Sequence, residues 1–452
     1  MVLKRKIYDK LLDWKKTSRG KKAVLIEGAR RIGKSTVCEE FGKNEYKSYI
    51  VIDFARESDE LKGYFRRYMN DLDTLFMLVS TYYGTKLYER DSLLIFDEIQ
   101  MFPTARAAIK YLVADGRYDY LETGSLISIR ENVADIVIPS EERHLKMNPL
   151  DFEEFAWAFG EEPLINYIRE CFEKKKPLER SLHNNAMMLF KQYMLVGGMP
   201  KSVVLFLESH KDFEQADLEK RDILELYRSD IMKIGAQYKA RVLAVYDQMP
   251  GLLSQHEKRV VFKQIKEGSY AEQYDDTFFW LADSMIANEC FLCNDPNIGL
   301  SINETRAYVK CYMGDTGLLV SHAFDENELL EAEVYKQILA GKLSMNEGML
   351  YENMIAQMLV ANGHKLYFYT HYSEEKHRND IEIDFLLSSN SKIKYKLFPV
   401  EVKSGKNYTT ASLLRFREKY KTRIGECYII HPRNLAVKDD ILCIPPYMTI
   451  CL

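Results

Sequence analysis

Residues 28–35 read Gly-Ala-Arg-Arg-Ile-Gly-Lys-Ser, two glycines across a four-residue gap and then a lysine and a hydroxyl. The apolar run Ala23-Val24-Leu25-Ile26 before them predicts a strand, and a helical pattern begins near Ser35. In that setting such a loop turns its backbone N–H groups onto a phosphate chain. Lys34 would neutralise β- and γ-phosphate oxygens, and the Ser35 hydroxyl would ligate magnesium. Gly28, Arg31, Gly33, Lys34, Ser35 and Thr36 are the expected nucleotide-binding positions. Residues 93–98, Leu-Leu-Ile-Phe-Asp-Glu, supply the complement, an apolar strand that delivers two carboxylates at its C-terminal end. Asp97 would hold the magnesium ion, and Glu98 would orient and deprotonate the attacking water. Thr123 and Ser125 follow the next apolar segment, where either hydroxyl could sense a γ-phosphate or simply cap a turn. Arg130 and Arg143 are both candidates for the transition-state charge, and the sequence does not choose between them.

A second group lies near the C-terminus. Residues 382–387 (Glu-Ile-Asp-Phe-Leu-Leu) and 398–403 (Phe-Pro-Val-Glu-Val-Lys) read as paired strands. A period of two puts Glu401 and Lys403 on one face, and pairing sets Asp384 beside Glu401. Glu352, on the preceding helix, is placed to add a third carboxylate. Glu352, Asp384 and Glu401 form the expected metal set, with Asp384, Glu401 and Lys403 as catalytic residues for phosphodiester attack. The competing reading is an amphipathic hairpin in which Lys403 neutralises the two carboxylates without metal.

These residues need a scaffold, and the chain is long enough to provide several. At 452 residues, two to four domains are expected, and 46% hydrophobic with 29% charged side chains is a globular balance. A net charge of −4 excludes global attraction to polyanions, so a nucleic-acid contact requires a local basic surface. One basic stretch is present, residues 4–19, in a helical pattern. Eight thinly spread cysteines are no disulfide framework. With neither a signal peptide nor an apolar run of about 20 residues, the expectation is a cytoplasmic protein without membrane contact. Short strands at residues 23–26, 49–52, 93–96 and near 118–121 alternate with helices, which points to a parallel α/β sheet covered on both faces. The texture turns helical near residue 150. Residues 241–325 suit a winged-helix-like module, with strands at 289–293 and near 308–310, and a second α/β pattern follows an acidic stretch at 325–333. The expected division is 1–150, 151–240, 241–325 and 326–452. Cys290 and Cys293 have metal spacing but no second pair, which makes them buried strand residues.

The whole chain resembles the bacterial and archaeal AAA-type ATP-binding proteins that carry a C-terminal domain of unknown function with a PD-(D/E)XK nuclease-like fold. The resemblance rests on the loop at Gly28, Asp97-Glu98-Ile99-Gln100, Thr123-Gly124-Ser125, residues 148–155, Gly197-Gly198-Met199-Pro200, and Gly314-Asp315-Thr316-Gly317-Leu318. Gly348 with Glu352-Asn353, residues 382–385 and Glu401-Val402-Lys403-Ser404-Gly405 extend it. It implies an α/β chain with a P-loop AAA-like sheet, a helical and winged-helix-like middle, and a restriction-endonuclease-like end. In that end Asp384, Glu401 and Lys403 match the nuclease motif, with Glu352 in the helix position. One departure is Glu142, where a glycine commonly precedes the arginine matched by Arg143. The function expected is a magnesium-dependent ATPase whose nucleotide state controls the C-terminal domain, with DNA or RNA as a partner of that domain and self-association as a further expectation. The alternative is a nucleotide-controlled binding or regulatory protein with an inactive nuclease-like fold. A winged-helix transcriptional regulator would need a basic recognition helix that the sequence does not offer.

Overall fold

A computed structural model describes residues 1–125, 140–255, 260, 274–297, 299–325, 331–339, 347–375, 377–388, 396–405 and 408–452. It divides into two compact units, Met1–Asn148 with the short piece Asp283–Met285, and Pro149–Ala282 with Ile286–Leu452. Arg130, and nearly all of the stretch between residues 255 and 274 where a recognition helix would fall, lie outside the described residues.

In the first unit five strands, β1 (Ala23–Glu27), β2 (Ser48–Asp53), β3 (Ser92–Asp97), β4 (Asp119–Gly124) and β5 (Glu142–Lys146), form a wholly parallel sheet in the order β2-β3-β4-β1-β5. The strand sequences explain that order. β1 and β4 are buried along their whole length and β3 along all but its last residue, as strands covered on both faces must be. β2 and β5 are buried only in part, and they take the edges. Helices α1 (Lys6–Ser18), α2 (Lys34–Glu45), α3 (Asp59–Tyr68), α4 (Leu72–Tyr83) and α5 (Pro103–Asp115) complete the unit. Phe54, Phe65, Phe96 and Phe102 pack ring on ring beside the end of β3, with Phe54 and Phe102 centroids 5.2 Å apart. That packing fixes where β3 ends and where its carboxylates emerge.

The second unit begins with helices Phe152–Ala158, Glu162–Glu173, Arg180–Val196, Pro200–Glu208, Phe213–Ile231 and Ala236–Ser254. It also holds two sheets. Strands β6 (Ala287–Cys293), β7 (Glu304–Met313), β8 (Leu366–Ser373) and β9 (Arg378–Ile383) are ordered β7-β6-β8-β9. Strands β10 (Phe385–Ser388), β11 (Leu397–Val402), β12 (Cys427–Ile430), β13 (Ala436–Lys438) and β14 (Ile441–Ile444) are ordered β10-β11-β12-β14-β13. β6 pairs in parallel with β8, so the strands expected in a separate winged-helix-like module share a sheet with C-terminal strands. Cys290 and Cys293 are buried in β6 and free of disulfides. Helix Glu347–Ala361 is buried on nearly every side, the pattern of a central core helix.

Several glycine motifs are packing devices. Asp315 caps helix Thr316–Ala323 through Leu318 N–H and accepts Gly198 N–H at 2.6 Å. A Cβ at Gly198 would stand 2.1 Å from the Leu150 carbonyl oxygen, and one at Gly317 2.4 Å from Gly197 N. Tyr193 donates to that Leu150 carbonyl, and Gln357 donates to the Tyr193 hydroxyl. The turn Pro446–Cys451 fastens three of the helices. Tyr447 OH lies 2.9 Å from His183 Nδ1, Arg169 donates to Ile450 O, and Asn362 donates to Thr449 O. Among the described residues no helix is long and apolar enough to cross a membrane.

Candidate functional site

The loop after β1 and the carboxylates after β3 come together at the C-terminal end of the parallel sheet, with β4 between their strands. Gly28 is demanded by space, since a Cβ there would lie 2.4 Å from Met147 O. Gly33 is demanded by conformation, with φ of 87° at the start of α2. Gly33 offers no side-chain cap and the first turn of α2 has no acidic residue, so its leading N–H groups are directed at the loop. Lys34 is buried and donates to Gly28 O (3.0 Å) and Ala29 O (2.9 Å). Burial lowers its pKa to about 8, against the pull of Glu98 and Asp97. Arg31 (φ 68°) and Thr36 are exposed at the loop and on the first turn.

Asp97 is gripped by hydroxyls. Ser35 Oγ donates at 2.8 and 2.9 Å to its two carboxylate oxygens, and Thr123 Oγ1 donates to Oδ1. Among the described residues no cationic side chain forms an ion pair with Asp97. A hydroxyl and a carboxylate converging in this way are the oxygen donors that magnesium takes, and the residues fit that ion. Glu98 follows in the left-handed region at φ 51°, a conformation that costs a non-glycine residue about 1–3 kcal/mol. Its carboxylate accepts from Gln100, and Thr123 Oγ1 accepts its backbone N–H at 3.4 Å. Ser125, just past the end of β4, is half-buried.

Sequence reading gave no role to Arg5 or Gln100. Arg5 is buried and donates to Ile32 O and Asn148 O, bracing the loop against the segment after β5. Only its place in a basic stretch marked it. Arg143 is corrected: it pairs with Val24 near the start of β1, at the N-terminal end of the strands and away from the phosphate loop at their C-terminal end, and meets Asp13 at 3.7 Å. The Glu142 departure also has a reason. Glu142 accepts a 2.8 Å hydrogen bond from buried Arg106, which also reaches Glu122 at 3.4 Å. His144 joins Glu142 (3.1 Å) to Glu27 (2.9 Å), and these two contacts raise its pKa to about 9.

In the second unit Asp384 stands where the chain leaves β9 and its sheet to enter β10 and the other. Phe385 pairs with Val400, so one step further sets Asp384 opposite Glu401, as the two-residue period predicts. Asp384 Oδ2 accepts the Val402 N–H at 2.8 Å. Lys403 Nζ forms an ion pair with Glu401 Oε2 at 2.9 Å. Glu401 is 1% exposed, and burial raises its pKa to about 7 despite Lys403. Glu352 is not turned to Glu401. Its Oε1 receives Tyr312 OH and Lys310 Nζ (3.1 Å), and Lys310 also lies 3.9 Å from Asp384. Lys310 is 2% exposed; burial opposes its charge, but Glu352 and Asp384 hold its pKa above the usual lysine range. Among the described residues no three metal-ligating side chains converge. The residues here fit Lys310 as the cation between Glu352 and Asp384, and do not fit a divalent ion. Sequence reading saw residue 310 only as part of an apolar strand.

Residues 20–156 match the family model described as an AAA domain, and residues 187–328 and 347–448 match two domains of unknown function, DUF8612 and DUF4143. No curated protein matches the sequence. Among solved structures the chain is similar to the Aeropyrum pernix ORC1 protein in complex with DNA, at 10% identity over 72% of this chain and 93% of that one, with TM-score 0.27. It is also similar to C. elegans PCH-2 (12%, 44% and 59%, TM-score 0.25). A third is a signal transduction ATPase with numerous domains and a tetratricopeptide repeat sensor from Pyrococcus horikoshii (13%, 80% and 49%, TM-score 0.28). The family match and the parallel sheet together give the first unit a P-loop AAA-like fold.

Proposed function

We propose that this chain is a magnesium-dependent ATPase whose second unit is a binding or regulatory element, nuclease-like in fold, with its acidic cluster neutralised from within. The observation that carries the ATPase reading is the convergence of Ser35 and Thr123 on Asp97, with Glu98 anchored beside them. Magnesium, when bound, would neutralise charge on the phosphates. Ser35 and Asp97 are the groups to hold it. The leading N–H groups of α2 bind phosphate, and Lys34, released from the Gly28 and Ala29 carbonyls, presents its charge to the same oxygens. Glu98 accepts a proton from the water it orients, and Gln100 keeps that carboxylate aimed. For the second unit, the supporting feature is Lys310 between Glu352 and Asp384.

Lys34→Ala is expected to abolish ATP binding in calorimetry. Glu98→Gln is expected to bind magnesium and ATP normally while turnover falls about 10²- to 10⁴-fold, the range for losing a general base. Wild-type turnover in that variant would remove Glu98 from the mechanism. Cleavage of DNA or RNA by the purified protein with manganese, lost in Asp384→Ala, would replace the regulatory reading of the second unit by the nuclease one.

A further inference from the structure

The first 22 residues contain nine lysines and arginines against two aspartates, in a chain whose totals are 63 basic and 67 acidic. α1 turns Ile7, Leu11 and Trp14 to the core, and leaves Lys10, Lys16 and, just beyond it, Arg19 exposed. Lys21 and Lys22 follow, exposed, at the entrance to β1. From β5 the fold brings Arg143, whose side chain is 47% exposed, to the same place. Trp14, Thr17, Ser18, Lys21, Lys22 and Arg143 line one open cavity of about 290 Å³. Arg90, packed over Gly20, is balanced by its 2.9 Å ion pair with Asp119 and adds no net charge at its edge. Against these stand Asp13, 3.7 Å from Arg143, and Glu141, whose carbonyl holds Ala23. The cavity lies at the N-terminal end of the parallel strands, and the phosphate loop lies at their C-terminal end.

We infer that this basic face binds the phosphate backbone of a nucleic-acid duplex, independently of the nucleotide site. A single phosphoryl group is best held by donors fixed in advance, such as a bidentate guanidinium or a row of N–H groups. Here the charges are on long, exposed side chains from separate segments, which suits a run of phosphates that release counterions on binding. A membrane is the weaker match, because α1 commits Ile7, Leu11 and Trp14 to the core and leaves Leu12 as its one exposed aliphatic side chain, too little for an apolar face to insert. Contacts made by lysine and arginine charges to phosphates fix position without reading bases, so this engagement carries no base sequence.

The test is fluorescence anisotropy with a labelled 30-base-pair DNA duplex across salt concentrations, comparing the full chain with K21A/K22A/R143A and with the charge-reversed K21E/K22E. The wild type should bind duplexes of unrelated sequence alike. The triple variant should lose about tenfold or more in affinity, with a salt slope shallower by up to about 2.7, from about 0.9 for each phosphate that is no longer neutralised. Both variants should keep wild-type ATP turnover, which also shows that they fold. Absence of duplex binding, equal binding by the variants, or tighter binding to vesicles containing phosphatidylserine or to inorganic phosphate than to duplex would overturn the inference.

Discussion

The chain builds two acidic clusters from the same residue types and finishes them in opposite ways. At the end of β3 the charge of Asp97 meets hydroxyls, Ser35 and Thr123, which satisfy its oxygens without an ion pair, while buried Lys34 feels that charge from beyond ion-pair distance. Between β9 and β10 the charge of Asp384 meets Lys310, which Glu352 shares. A carboxylate held by neutral donors keeps a demand for a cation, whereas one paired with a buried lysine has met it. Counting carboxylates therefore says little about metal binding until the nearest cation is known. A third arrangement lies between these extremes, where His144 serves as a counterion that titrates.

The contrast can be broken at Lys310. Lys310→Met leaves Glu352 and Asp384 buried without their cation, and about 3–5 kcal/mol of stability should be lost in urea unfolding, the scale for removing one partner of a buried pair. Adding Glu352→Gln should restore part of it. A variant as stable as wild type would mean that the lysine is not the resident cation. A smaller effect is expected at Thr123→Val, which removes one hydroxyl from Asp97 at nearly constant volume. A hydrogen bond to a charged group is worth about 1.5–3 kcal/mol, so steady-state turnover should fall roughly ten- to a hundredfold with folding intact.

The smallest effect is in pH dependence. The folded-state pKa of His144 is raised to about 9, so its contribution to stability is complete below its unfolded value near 6.5 and fades as pH rises through 9. Thermal unfolding of His144→Gln should show a flatter loss of stability across that window than wild type. Parallel curves would mean that the ion pairs with Glu27 and Glu142 do not act as counterions.

What could be read from sequence was what depends on neighbours along the chain. The residue 28–35 loop has its strand before it and its helix after it, and β3 ends in its own two carboxylates, so the placement of both halves of the candidate nucleotide site was legible. So was the meeting of Asp384 with Glu401, because a period of two and one pairing step determine it. Lys310 was not legible, since a lysine amid apolar strand residues acquires meaning only when β7 is placed beside the helix of Glu352. The same holds for β6, whose partner β8 is supplied by a distant segment, and for Arg143, whose end of the sheet is decided by register. The break at Asp384 was hidden because residues 382–387 have the alternation of one strand, although their two halves pair with different sheets.

The turn Pro446–Cys451 bears on how the protein is made. A ribosome releases the first unit once β5 has emerged, and all of its strands are then present. Helices Glu162–Glu173 and Arg180–Val196 emerge next, but the turn that fastens them to helix Glu347–Ala361 comes about 300 residues after β5. Counted from the end of the second helix the gap is about 250 residues, and at about 5–20 residues per second it lasts on the order of 12–50 s, during which these helices wait with part of their packing surface uncovered. Ribosome-bound intermediates ending before residue 446 should therefore be the ones that engage chaperones, and synthesis rate over that stretch is a variable that expression of this chain will feel.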